Sequence, residues 1–221
     1  MLPVWQMVVF TVWDSVLWFN KIPMPDWDAK YNTDEYIFGT RPNRFLVECA
    51  SGLTPGKALS LGEGEGRNAI YLAGLGFEVT AVDLSAIGLK KAQRLAKHNA
   101  LTLTTIHADL NDYAIIPNQW DVIICFFVHI LPEHRAALHR KVAAGLRPGG
   151  VYILEGFSPE QMKYAKRGPD NPGQLYDLQA IRHELDGLEF TIARQVERLL
   201  DDTEPEQGVC AVTQVMAVKP V

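Results

Sequence analysis

Between Lys57 and Phe157, short apolar runs and amphipathic stretches alternate five times with little chain between them. KALSLG (57–62), FEVTAVDL (77–84), LTTIHADL (103–110), WDVIICFFVHI (120–130) and GGVYILEGF (149–157) read as strands. RNAIYLAGLG (67–76), SAIGLKKAQRLAKHNA (85–100) and PEHRAALHRKVAAGL (132–146) read as helices. Ser85 is a suitable N-cap, Pro132 starts a helix well, and Gly76 and Pro148-Gly149-Gly150 end the helices before them. Strands that alternate with helices predict a parallel, doubly wound α/β sheet. WDVIICFFVHI is the most apolar run and is expected at the centre.

The remainder completes that sheet. LYDLQAIRHEL (175–185) reads as a helix, and residues 43–51 as a short one. LEFTIARQVERLL (188–200) and VCAVTQVMAVK (209–219) alternate in polarity around the polar loop DDTEPEQG. A parallel crossover needs a dozen or more residues, so this pair is predicted antiparallel. The expected fold is a Rossmann-like, seven-stranded, mostly parallel sheet with an antiparallel C-terminal strand.

One connection is unusual. LSLGEGEGRN (59–68) places Gly62, Gly64 and Gly66 at alternate positions between a strand and a helix. Glycine here lets a ligand approach the backbone, and helix-opening N–H groups favour an anion or polar group. Asp83 follows Gly64 by nineteen residues at the end of the second strand, where a carboxylate can accept both ribose hydroxyls. Together they indicate an adenosine-containing cofactor. The spacing G-x-G-x-G is not the G-x-G-x-x-G of nicotinamide-dinucleotide enzymes, and no Lys-Ser/Thr pair follows to make a P-loop.

Composition narrows the partners. The 221 residues are 48% hydrophobic and carry a net charge of −5, which suits one domain acting on a small molecule and not on nucleic acid. Cys49, Cys125 and Cys210 show no disulfide or zinc spacing, which suits a reducing compartment such as the cytoplasm, and Cys125 is expected in the core. Residues 1–19 are apolar and tryptophan-rich but lack a basic start and a small-residue cleavage site. Three readings of 1–23 stand: an extension packed on the domain, an interfacial segment, or translation upstream of Met24. No membrane partner is expected unless 1–19 lie at an interface. Residues 24–221 are expected as one domain, in the monomer or a homodimer.

With these motifs in place, the chain resembles the class I S-adenosylmethionine-dependent methyltransferases over about residues 25–220. LSLGEGEGRNAIYLA looks like that family's first motif and VTAVDLS its second; HADL matches the adenine segment, and LRPGGVYILE the fifth strand. WDAKYNTDEYIFGTRPNRFL (27–46) and GEGEGRNA are similar to the branch of tellurite-resistance, thiol and thiopurine methyltransferases. The resemblance implies a lid (24–50), a cofactor-binding core (57–157), and an acceptor loop with a C-terminal hairpin (158–221). It also implies S-adenosylmethionine as cofactor and S-adenosylhomocysteine as product.

Carried over by position, Gly62, Gly64 and Gly66 admit the methionine part. Asp83 holds the ribose and Leu84 packs on the adenine. Asp109 accepts from the adenine amino group with Leu110 beside it, and Phe126 lies under the sulfonium. Arg67 either meets the cofactor carboxylate or caps a surface. The family's usual acid two residues before the first glycine is Ser60 here, so the resemblance implies that bonding at the cofactor's amino-acid end is either weaker or supplied by Glu63 or Glu65. Tyr31 and Arg41 are expected lid contacts, while Trp27 only packs.

The acceptor side is less defined. His129 is the candidate base, and Glu155 either binds the acceptor or orients a loop. His134 and His139, five apart on one helix, read as surface residues and not metal ligands; no metal is expected. YAKRGPDNPGQLY (164–176) reads as an acceptor loop. The branch suggests a thiol or a chalcogen oxyanion such as tellurite. Nitrogen, oxygen or carbon acceptors, and a non-catalytic cofactor-binding module, are the alternatives. The N-P-P-aromatic motif of amino-directed nucleic-acid enzymes is absent after the fourth strand, where CFFVHILPE stands.

Overall fold

The computed structural model describes residues 25–164, 168–169, 171–200 and 208–221. The N-terminal segment 1–23, part of the expected acceptor loop and most of the loop DDTEPEQG lie outside these residues.

The described residues begin with two short helices, α1 (Trp27–Tyr31) and α2 (Arg44–Ala50). There follow β1 (Lys57–Leu61), α3 (Arg67–Gly74), β2 (Glu78–Asp83), α4 (Ala86–His98), β3 (Thr104–His107), β4 (Trp120–Phe126), α5 (Pro132–Gly145) and β5 (Leu146–Phe157). Helix α6 (Leu178–Glu184) and strands β6 (Glu189–Leu200) and β7 (Gly208–Val218) complete it. The sheet order is β3-β2-β1-β4-β5-β7-β6. Strand β1 is parallel to both β2 and β4, and β7 is antiparallel to both β5 and β6. The strand order therefore reverses beside β1, where doubly wound sheets bind ligands beyond the strands' carboxyl ends.

Alternation in β4 explains the two-sided core. Val122 and Ile124 point to one face, with Phe45 and Leu46 of α2, Ala69 and Leu72 of α3, and Leu89 of α4. Ile123 and Cys125 point to the other, with Leu138 and Val142 of α5 and Ile181 of α6. A strand covered on both faces has no polar side, hence the unbroken apolar run. Full burial of a side chain such as Ile123 stabilises by roughly 1.5–3 kcal/mol.

Two strands stop earlier than predicted, both at the ligand end. Strand β4 ends at Phe126 because Phe127 takes a left-handed φ of 54°, which turns 127–130 out of the sheet. A bulky residue there is costly and needs fixed surroundings. They are present: the Phe127 N–H donates to the Glu155 carbonyl (2.8 Å), its ring packs on Phe157 (4.8 Å), and the Tyr176 hydroxyl donates to the Val128 carbonyl (2.6 Å). Strand β3 ends at His107, and Ala108–Leu110 turn toward the site instead of extending the strand.

His139 corrects the sequence reading: it is buried, whereas His134 is exposed. Its Nδ1 lies 2.7 Å from Glu184 of α6, and the same carboxylate accepts from Arg135 at 2.9–3.2 Å. Burial pushes the imidazole below its ordinary range, against the opposing pull of Glu184. This cluster pins α6 to α5.

Candidate active site

A cavity of about 390 Å³ opens at the carboxyl ends of β1, β2 and β4, within the range of small-ligand sites. Gly62, Glu63 and Glu65 of the glycine loop line it, whereas Gly66 is not part of the wall and packs against Ala92 of α4. Gly62, Gly64 and Gly66 all take positive φ (64°, 66° and 102°), a conformation only glycine adopts cheaply. The space is closed as well: a Cβ at Gly62 would lie 2.5 Å from the Val128 side chain, and one at Gly64 2.6 Å from the Tyr31 hydroxyl.

Asp83 ends β2 beneath this loop. Its carboxylate accepts from the Gly64 N–H (2.8 Å) and the Ser85 N–H (2.7 Å). Burial raises its pKa against those two bonds. Each oxygen keeps acceptor capacity toward the cavity. Leu84 beside it is large, apolar and exposed on the cavity wall, as a flat hydrophobic ligand surface requires. Asp109, Leu110 and Asn111 line the same end, with Asp109 held in its turn by the Asn111 N–H (2.8 Å).

Glu63 stands where Gly66 leaves α3 without a side-chain cap. One carboxyl oxygen accepts from the N–H groups of Asn68 and Ala69 (3.0 Å each), and the other from the Ser60 hydroxyl. Burial pushes this carboxyl up to about 7. Glu65 also lines the cavity, but it is held in an ion pair with buried Lys91 and accepts from the Phe38 N–H (3.3 Å).

Residues 26–43 form a strap across the opening. Lys91 donates to the carbonyls of Tyr31, Thr33 and Glu35. Asp28 accepts from the Ser85 hydroxyl and the Ile87 N–H, and Arg67 donates to the Phe38 carbonyl (3.2 Å). Tyr31 stacks on Trp27 (5.6 Å), which meets His129 edge-on (5.8 Å). Lys30 lies over the rings of Trp27 and Phe38 at 4.8 and 4.7 Å.

The cavity thus gathers Gly62, Glu63, Arg67, Asp83, Leu84, Asp109, Leu110, Phe126, His129 and Tyr31, while Gly64 contributes through its backbone. Arg41 is exposed on the strap and is not part of the wall. Glu155 is fully buried away from the cavity. It accepts from Asn43, Arg198 and Gln214 and so joins the strap's end to the C-terminal hairpin, the loop-orienting role. Trp27 does more than pack: it forms part of the wall, as does Lys30, which sequence reasoning missed. One helical turn that places Trp27, Lys30 and Tyr31 on one side was the available signal for Lys30.

Residues 58–150 match the family described as "Methyltransferase domain". Over this span the chain is similar to methyltransferase domains. Over 127 residues it is 33% identical to the Haemophilus influenzae protein "Probable S-adenosyl-L-methionine-dependent methyltransferase TehB", covering 57% of this chain and 42% of that one. The chain thus spans under half the length of that relative. In structure it resembles TehB from Haemophilus influenzae with a TM-score of 0.66 and 21% identity, over 87% of this chain and 65% of that chain. A protein solved in work on "Conversion of a Disulfide Bond into a Thioacetal Group during Echinomycin Biosynthesis" aligns with a TM-score of 0.72 and 20% identity, over 88% and 90%. Magnesium protoporphyrin IX methyltransferase from Synechocystis, solved with S-adenosylmethionine bound, aligns at 0.58 and 22%, over 79% and 74%. The structural likenesses establish the Rossmann-like α/β fold.

The residues present fit S-adenosylmethionine. Beside the glycine loop, a carboxylate with spare acceptor capacity and an exposed leucine line one cavity and suit a ligand that carries hydroxyls and a flat apolar group.

Proposed function

We propose that this protein transfers the methyl group of S-adenosylmethionine to a small-molecule acceptor, a thiol or a chalcogen oxyanion such as tellurite. The observation that carries the reading is the Gly64–Asp83 hydrogen bond, which locks the glycine loop and the β2 carboxylate into one ligand-facing unit. The likeness to TehB supports the acceptor class. The buried positions of Cys49, Cys125 and Cys210 suit a reducing cytoplasm.

When bound, S-adenosylmethionine supplies a methyl group on a sulfonium leaving group. The chain's own work is then to position and to exclude water. Asp83 and Asp109 fix the adenosine, and Leu84, Leu110 and Phe126 supply apolar contact. Trp27, Tyr31 and Phe38 roof the cavity against solvent. His129, on the turn set by Phe127 and Tyr176, takes the proton of a protonated acceptor.

The test is methyl transfer to a panel of thiols, tellurite, amines and alcohols, read as S-adenosylhomocysteine formed. Transfer to thiols or tellurite supports the reading. Transfer only to amines or alcohols replaces the acceptor class, and cofactor binding with no transfer leaves a binding module. His129→Ala is expected to slow turnover by roughly 10²-fold, the lower end for a lost general base, with cofactor affinity unchanged. An equal rate would reduce His129 to part of the wall.

A further inference from the structure

We propose that Glu63 is the carboxylate that answers the cationic ammonium of S-adenosylmethionine, and that cofactor binding drives a proton from Glu63 to solvent. The proposal rests on the methyltransferase reading. It begins from the glycine loop itself: the Ser60 hydroxyl of β1 and the N–H groups of Asn68 and Ala69 hold the Glu63 carboxyl in place. Glu63 lines the cavity beside Gly62.

The groups facing Glu63 make it a proton-linked acid. From β1 comes the Ser60 hydroxyl, and from α3 come the N–H groups of Asn68 and Ala69, with Arg67 further off. From the strap comes the neutral Tyr31 phenol, whose pKa burial raises well above its ordinary range. Asp83 at the tip of β2 adds a second acid, and Glu65 is taken up by Lys91. The turn after β4 adds His129 to the same cavity. Glu63 makes no ion pair among the described residues. Buried among neutral donors, it holds its proton to about neutral pH. An ammonium arriving in the cavity favours the ionised form, so the O–H bond of Glu63 breaks and the proton passes to buffer. Ligand affinity must then rise with pH up to neutrality.

The experiment is calorimetric titration with S-adenosylhomocysteine, which keeps the ammonium and cannot react, between pH 5.5 and 7.5. Buffers of differing ionisation enthalpy count the protons released. The expected result is close to one proton released per ligand at pH 6, and affinity rising towards about tenfold per pH unit below neutrality, as one-proton linkage requires. Glu63→Gln keeps an oxygen to accept from Asn68 and Ala69, and it should bind more weakly with no pH dependence. Ser60→Ala removes a bond that favours the ionised form, and it should move the midpoint upward. 5′-Deoxy-5′-methylthioadenosine, which lacks the amino-acid part, should bind without releasing a proton. Binding independent of pH, or a pH dependence that survives Glu63→Gln, overturns the proposal and leaves the cofactor reading intact. Absence of S-adenosylhomocysteine binding at every pH overturns both.

Discussion

Among the described residues, five buried or half-buried carboxylates fall into two sets that differ in what surrounds them. Glu155 is wholly enclosed and accepts from the Arg198 guanidinium (2.9 Å) with Gln214 and Asn43 alongside. Glu184 is shared by Arg135 and His139, and Glu65 by Lys91. Burial alone would raise Glu184, yet His139 and Arg135 hold it below the usual carboxylate range. Asp83 and Glu63 receive only hydroxyl and N–H donors at bonding distance, and burial raises both. The first set is neutralised by the fold and joins distant elements: hairpin to strap, α6 to α5, strap to glycine loop. The second lines the cavity with no cation at bonding distance, as groups that meet a ligand's hydroxyls and cation would be. Cation pairing within the chain thus separates the carboxylates that hold the structure from the two proposed to hold a ligand.

The strongest way to break this division is to remove a cation from the first set. Arg198→Ala strands Glu155 in the core, and loss of one partner of a buried pair costs roughly 3–5 kcal/mol. The lower end is expected because Gln214 and Asn43 remain. Denaturant unfolding measures the loss, and cofactor affinity should be nearly unchanged. A large fall in affinity with stability intact would place Glu155 in the binding machinery.

Asp83→Ala tests the other set. It should weaken S-adenosylmethionine binding by about 1.5–3 kcal/mol, the scale of hydrogen bonds to a charged group. Its effect on stability should be smaller than that of Arg198→Ala. Titration calorimetry beside thermal unfolding separates the two.

The smallest effect is a slope. The folded-state pKa of Glu63, about 7, lies above its ordinary value of 4.5. The stability this group contributes is therefore fully present below about 4.5 and is lost as pH rises through about 7. The ligand-free protein should lose at most about 1.4 kcal/mol per pH unit from this group. Glu63→Gln should flatten that part of the profile, and an unchanged slope would assign it to another group.

Much of this arrangement is legible in the sequence because it is local. Strand–helix alternation, the glycine loop and the acid nineteen residues after Gly64 are short-range in the sequence, and they point to the seven-stranded, mostly parallel sheet. The antiparallel β7 is legible from the brevity of the β6–β7 connection. What is not legible depends on partners far along the chain. His139 looks exposed on its own helix and is buried because Glu184 packs against it from 45 residues away. Lys91 looks like a surface residue of α4 until the strap carbonyls of 31–35, some 56–60 residues earlier, fold onto it. Phe127 continues an apolar run, and only the Glu155 carbonyl and the Tyr176–Val128 bond turn it out of the strand. Glu155 reads as a site residue because it ends a strand, and Arg198 and Gln214 claim it from the far hairpin.

The central claim is that the glycine loop and Asp83 form a site for S-adenosylmethionine, and parallel calorimetric titrations of S-adenosylmethionine and NADH into wild type and Asp83→Ala test it most directly. The account predicts saturable binding of S-adenosylmethionine alone at one site per chain, weakened in the mutant. No saturation with S-adenosylmethionine, binding of NADH in its place, or full affinity in Asp83→Ala would contradict it.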